Sequence, residues 1–158
     1  MKLTENFTLQ ELIKSQTALR KGINNKPASP DIVVNLQTLC EKVLQPVRDH
    51  FGKPVTVNSG YRCPKLNKAI GSSSKSQHTK GLAADIEIPG VSNKELAEYI
   101  ESNLPFDQLI LEFYNGVDPN SGWVHVSYVD DDKNRKQTLT INANGTFPGF
   151  VSVSYTHL

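Results

Sequence analysis

Hydrophobic spacing divides this chain into two halves with different habits. Up to about Phe51 the apolar residues recur at helical spacing, while beyond Pro54 they come in short runs rich in branched and aromatic residues. From Ser29 as cap and Pro30 as first residue, Ile32, Val33, Leu36, Leu39, Cys40, Val43, Leu44 and Val47 follow the i, i+3, i+4, i+7 pattern of one buried face. This predicts a helix reaching about Phe51, with a kink at Pro46. Before it, Thr8 and Glu11 have capping-box spacing for a short first helix that docks through Phe7, Leu9, Leu12 and Ile13. Residues 18–29 gather Gly22, Asn24, Asn25 and Pro27 and read as a loop.

Strand candidates follow at 54–59, 82–88, 107–113, 122–129 and 137–142. A helix capped by Ser92 with Glu95 lies between the second and third. Helices first and strands later favour an α+β fold, a mainly antiparallel sheet packed against N-terminal helices. One domain is expected over residues 1–150, with 151–158, including His157, as a tail that continues no element.

The 158 residues include 37% hydrophobic and 21% charged side chains, enough to bury a core without staples. A formal net charge of +1, with lysines and arginines interspersed among acids, argues against nucleic acid as a partner. Cys40 and Cys63 have neither CxxC spacing nor scaffold density, so no bridge is implied, and Cys40 reads as core. The N-terminal stretch is too polar for a signal peptide, and no apolar run approaches the ~20 residues of a spanning helix. His50, near a helix end, is assigned to the helix dipole rather than to a metal.

Two positions break the core pattern. Alternation along 82–88 sends Leu82, Ala84, Ile86 and Ile88 to the core, so Asp85 must face a groove or a partner. In Trp123-Val124-His125-Val126-Ser127, alternation puts His125 on the face of Trp123 and Ser127. A further histidine, His78, lies seven residues before Asp85 in a polar loop bounded by Gly81. Two imidazoles and a carboxylate form a common ligand set for catalytic zinc, leaving a fourth position open. Singly, each residue has an ordinary explanation in local hydrogen bonding or ion pairing; together they point to a metal.

The string Ser76-x-His78-x-x-Gly81-x-Ala83-x-Asp85, followed by Trp123-x-His125 and preceded by Ser59-Gly60-Tyr61-Arg62, resembles the zinc D-alanyl-D-alanine peptidase family. That family includes bacterial carboxypeptidases and dipeptidases and phage L-alanyl-D-glutamate endopeptidases, and the hedgehog signalling domain shares its fold. The likeness runs from about Phe7 to about Tyr128. It implies one Zn2+ held by His78, Asp85 and His125, with Arg62 at the substrate's carbonyl or negative charge and Ser76 in contact with substrate. Trp123 would wall the groove and bind substrate there. The implied partners are peptidoglycan stem peptides and the implied reaction is peptide hydrolysis by metal-activated water, in a chain expected to be monomeric.

One departure matters. Many members of that family carry an acidic general base three residues before the second histidine, where this chain has Gly122. Glu112 is the substitute expected here, because a hairpin joining its strand to that of His125 would put both on one face; Asp118 is the alternative. Glu112 would take the proton of the attacking water and return it to the leaving amine. A zinc-containing binding or signalling module, or a structural component that recognises peptidoglycan without cutting it, competes with the enzyme reading. With no signal peptide and no separate wall-binding domain visible, the expected setting is a phage lysin released onto the wall, or a bacterial enzyme that is cytoplasmic or truncated.

Overall fold

In the computed structural model, residues 1–151 are described. The N-terminal part is a two-stranded ribbon, β1 (Lys2–Thr4) with β2 (Phe7–Thr8), followed by α1 (Leu9–Ile13), α2 (Gln16–Lys21), α3 (Pro30–Leu39) and α4 (Gln45–Phe51). After β3 (Thr56–Ser59) come α5 (Pro64–Ala69), β4 (Ala83–Glu87), α6 (Asn93–Asn103), β5 (Gln108–Glu112), β6 (Trp123–Ser127), β7 (Gln137–Asn142) and β8 (Gly145–Pro148). The last six strands form one sheet in the order β3-β4-β6-β5-β7-β8, antiparallel throughout except for the parallel pair β5–β7. The α+β architecture is therefore as the sequence predicts.

Thr8 caps α1 in a complete capping box with Glu11. Ser92 accepts the Glu95 N–H at 3.0 Å and so begins α6. Ser29 occupies the cap position of α3 but makes no side-chain bond there, leaving Pro30 as the start signal. The long second helix is not continuous. Residues Cys40–Leu44 form a π turn in which the Gln45 N–H reaches the Cys40 carbonyl, one residue beyond the α pattern. Pro46, which has no N–H to donate and a ring that crowds the carbonyl four residues back, follows immediately.

The expected loop over 18–29 is also corrected: α2 occupies its first residues, capped by Ser15 and closed by Gly22 in the left-handed region. Helix α5 and strands β1, β2 and β8 are additions to the predicted set. Of the tail, Val151 donates to Thr140 Oγ1 at 3.1 Å; His157 lies outside the described residues.

The core joins the helices to one face of the sheet. Leu36, Leu39, Cys40, Leu44 and Val47 meet Ala84, Ile86, Leu109, Leu111, Val124 and Val126, all buried. Both cysteines are free and buried, and burial pushes the Cys40 thiol up to about 12, so it behaves as a small apolar side chain. His50, in the last turn of α4, stacks on Tyr99 of α6 at 3.8 Å between ring centroids.

Candidate metal centre

Strand register builds most of the site. Asp85 on β4 lies opposite His125 on β6, which lies opposite Ile110 on β5; two residues along, Glu112 lies opposite Trp123. Directly opposed residues project to the same face, so Asp85, His125, Ile110, Glu112 and Trp123 share the side of the sheet away from the core. The alternate residues, Ala84, Ile86, Val124, Val126, Leu109 and Leu111, fill the core and lock that register.

His78 arrives by another route. It sits in a one-turn 3₁₀ helix, Gln77–Lys80, whose N-cap Ser76 accepts the His78 N–H at 3.2 Å. Gly81 closes the turn at φ +73°, and an added Cβ there would stand 2.8 Å from the Ile32 carbonyl oxygen of α3. The residue is 2% exposed, and its side chain points Nδ1 at the Gly60 carbonyl oxygen, 2.7 Å away.

That contact decides what the cluster wants. A carbonyl oxygen can only accept, so Nδ1 must carry the proton, and a neutral His78 presents a bare lone pair at Nε2. Nε2 faces Asp85 Oδ1 at 3.4 Å, and His125 Nδ1 lies 2.9 Å from the same oxygen. Two acceptors face each other, an arrangement satisfied by a proton or by a cation. Ligand atoms from His78, Asp85 and His125 all lie within 4.8 Å of one another and could hold a metal ion. Burial pushes the Asp85 carboxyl up, but its contacts with His125, the larger influence, and His78 outweigh it and hold the group below the usual carboxylate range. The donor set thus fits a zinc-sized cation, with the Gly60 bond fixing one imidazole's tautomer.

A groove of about 560 Å³ runs over this cluster, and Arg62, Ser76, Glu112 and Trp123 all line it. Arg62 donates to Ser59 Oγ at 3.3 Å and to Ser76 Oγ at 3.4 Å, while its buried Nε has no partner among the described residues. Burial lowers the Arg62 pKa, against the opposing pull of Asp85 and Glu112. Trp123 Nε1 donates to Glu112 Oε2 at 2.9 Å. Burial, then the Asp85 charge, push the Glu112 carboxyl up; His125, Trp123 and Arg62 oppose them.

Asp118 is elsewhere. Its Oδ1 accepts the Asn120 N–H at 2.9 Å in an exposed turn, and it does not line the groove. Gly122 has a physical reason to be glycine: φ is +68°, and an added Cβ would overlap the Glu112 carbonyl oxygen and stand 2.5 Å from the Phe113 carbonyl carbon. No side chain fits there without moving the strand that carries Glu112.

The model of the Peptidase M15 family matches residues 5–127. The chain belongs to the peptidase M15 family. No curated protein sequence matches it. M15 peptidases depend on zinc, and the match takes in all three candidate ligands together with Arg62, Ser76, Glu112 and Trp123.

What the sequence did not reveal in this M15 chain is the outer flank of the groove. Asp107, 2% exposed, accepts from Gln77 Nε2 at 2.9 Å and from Arg135 through the backbone N–H at 2.9 Å, Nε at 3.0 Å and Nη2 at 2.7 Å. The Arg135 side chain, more than any other of these partners, holds the Asp107 pKa down at about 2. The Gly60 carbonyl was equally hidden, though a glycine before Tyr61-Arg62 is a signal of close backbone approach: its Cβ would overlap the Leu12 carbonyl oxygen.

Proposed function

We propose that the chain is a zinc peptidase that hydrolyses a peptide bond of the peptidoglycan stem peptide, either as a D-Ala-D-Ala carboxypeptidase or as an L-Ala-D-Glu endopeptidase. The observation that carries this reading is a single groove holding a tautomer-fixed His-Asp-His cluster and, beside it, a carboxylate whose burial favours proton uptake. His78, Asp85 and His125 would hold the metal. Zinc, when bound, supplies Lewis acidity that polarises a carbonyl and acidifies water.

The rest of the chemistry falls to the chain's own groups. Glu112 takes a proton as water adds to the scissile carbonyl carbon; when the C–N bond breaks, it passes that proton to the leaving amine. Trp123 holds one carboxylate oxygen through its indole N–H, which leaves the other free for the proton. Arg62, braced by Ser59 and Ser76, presents its guanidinium to the developing oxyanion or to a substrate carboxylate. A non-catalytic zinc-containing module that binds peptidoglycan or signals is the second reading, and the absence of room for an acid at residue 122 is what favours it.

Glu112→Gln separates the two. On the enzyme reading the variant keeps its zinc and loses about 100-fold or more of muropeptide cleavage, followed by mass spectrometry, which also names the bond cut. Wild-type protein that binds zinc and never cleaves purified peptidoglycan would overturn the enzyme reading.

A further inference from the structure

The groove has two arginines, and only one of them is explained by the reaction. Arg62 follows β3, at one side of the sheet, and Arg135 precedes β7, at the other; the cluster on β4 and β6 lies between them in strand order. Both stand toward the end of the sheet where β5 begins, since Ser59 pairs with Asp85, Ala83 with Ser127 and Gln108 with Gln137. The arginines therefore flank the cluster across the strands.

Arg135 is built in as a group that presents charge. A guanidinium carries five N–H donors in a fixed plane. The bonds to Asp107 use Nε and one N–H of Nη2, so the Nη1 amine is committed to neither. The partner carboxylate is almost fully buried and is further held by Gln77, next to His78, and by the Arg135 backbone N–H. The arginine side chain itself is 54% exposed and lines the groove. A buried anchor with an open outer edge sets the plane and position of the guanidinium before any ligand arrives, which lowers the entropy cost of pairing with a second anion. If Asp107 needed only neutralising, nothing would require the cation to border the groove.

Resting on the peptidoglycan reading above, we propose that Arg135 is a specificity-determining residue that binds a second carboxylate of the stem peptide, on the flank of the groove away from Arg62. Stem peptides supply such groups: a γ-linked D-Glu keeps a free α-carboxylate, and the chain end carries another. Amidation removes the charge while keeping the shape, so the enzyme would discriminate between amidated and free stems.

The test uses zinc-loaded Glu112→Gln protein, to prevent turnover, titrated calorimetrically with a synthetic stem pentapeptide. Its D-Glu α-carboxylate and its C-terminal carboxylate are amidated one at a time. One of these changes is expected to weaken binding about tenfold or more, and Arg135→Gln should abolish that penalty while leaving the other in place. Because a ratio of affinities is compared within each protein, partial unfolding does not imitate the result. Should Arg135→Gln fail to fold with Asp107 left unpaired, the double change Asp107→Asn with Arg135→Gln removes the buried charge and serves instead. Amidation penalties that persist unchanged without Arg135 overturn this inference alone, provided the wild type cleaves the free stem. A wild type that neither binds nor cleaves stem peptides sinks the parent reading as well.

Discussion

His78 and His125 serve one cluster from two differently built regions. The turn that carries His78 is held on several sides: Asn35 donates to the Lys80 carbonyl at 2.9 Å, the Arg62 N–H to the His78 carbonyl at 3.0 Å, and Gly81 lies against α3. Its imidazole is buried and its tautomer is set by main chain. Among the described residues, strand register aims His125, its ring bonds Asp85 and meets His78 edge to face, and it is partly open to the groove. Backbone fixes the first imidazole, whereas the second depends on the cluster itself.

The largest expected effect breaks that contrast if it is false. His78→Ala and His125→Ala should each lower zinc affinity by more than about 100-fold, measured by competition with a chelator, because each deletes a ligand and not merely its support. Their metal-free stabilities should differ. His78→Ala leaves a void and an unpaired Gly60 carbonyl and should cost about 2–3 kcal/mol; His125→Ala, at the groove wall, should cost about 1 kcal/mol. Equal losses in denaturant titrations would show that the turn is no more rigid than the strand.

Gly122→Asp sharpens the contrast on the strand side by placing a carboxyl three residues before His125. It should not rescue cleavage in a Glu112→Gln background. The added Cβ meets the Glu112–Phe113 backbone at a positive φ, and the variant should lose about 2–4 kcal/mol of stability. Recovery of muropeptide cleavage would instead mean that the β5–β6 hairpin can shift and that Glu112 is not the only base the groove can use.

The site was legible where chemistry and period coincide. Asp85 and His125 stand out because a polar residue interrupts an apolar alternation that fixes its side of the sheet, and Glu112 follows once β5 is paired with β6. Elements without such a pattern were not. Helix α2, Gln16–Lys21, buries only Ala18, so it has no apolar stripe to detect. The π turn at Cys40–Leu44 keeps the helical period nearly intact, and its cause at Pro46 reads equally well as a kink. The parallel pairing of β5 with β7 places Arg135 beside the groove, yet Arg135 and Asp107 are 28 residues apart and neither belongs to a motif.

The smallest effect expected probes the flank built on that pair. Asp107 has its pKa lowered from 3.8 to about 2, chiefly by the Arg135 side chain, so the folded state favours the carboxylate more than the unfolded chain does. Its contribution is present above pH 4 or so, where the unfolded group is ionised, and is lost as pH falls through about 2. The shift corresponds to at most about 2 kcal/mol, reduced by the exposure of Arg135 to solvent. Thermal melts of wild type and Asp107→Asn between pH 5 and 2 should therefore converge as the acid end is approached, the wild type losing its advantage. Parallel curves would mean that the carboxylate is protonated alike in both states, and that Arg135 is not anchored by charge.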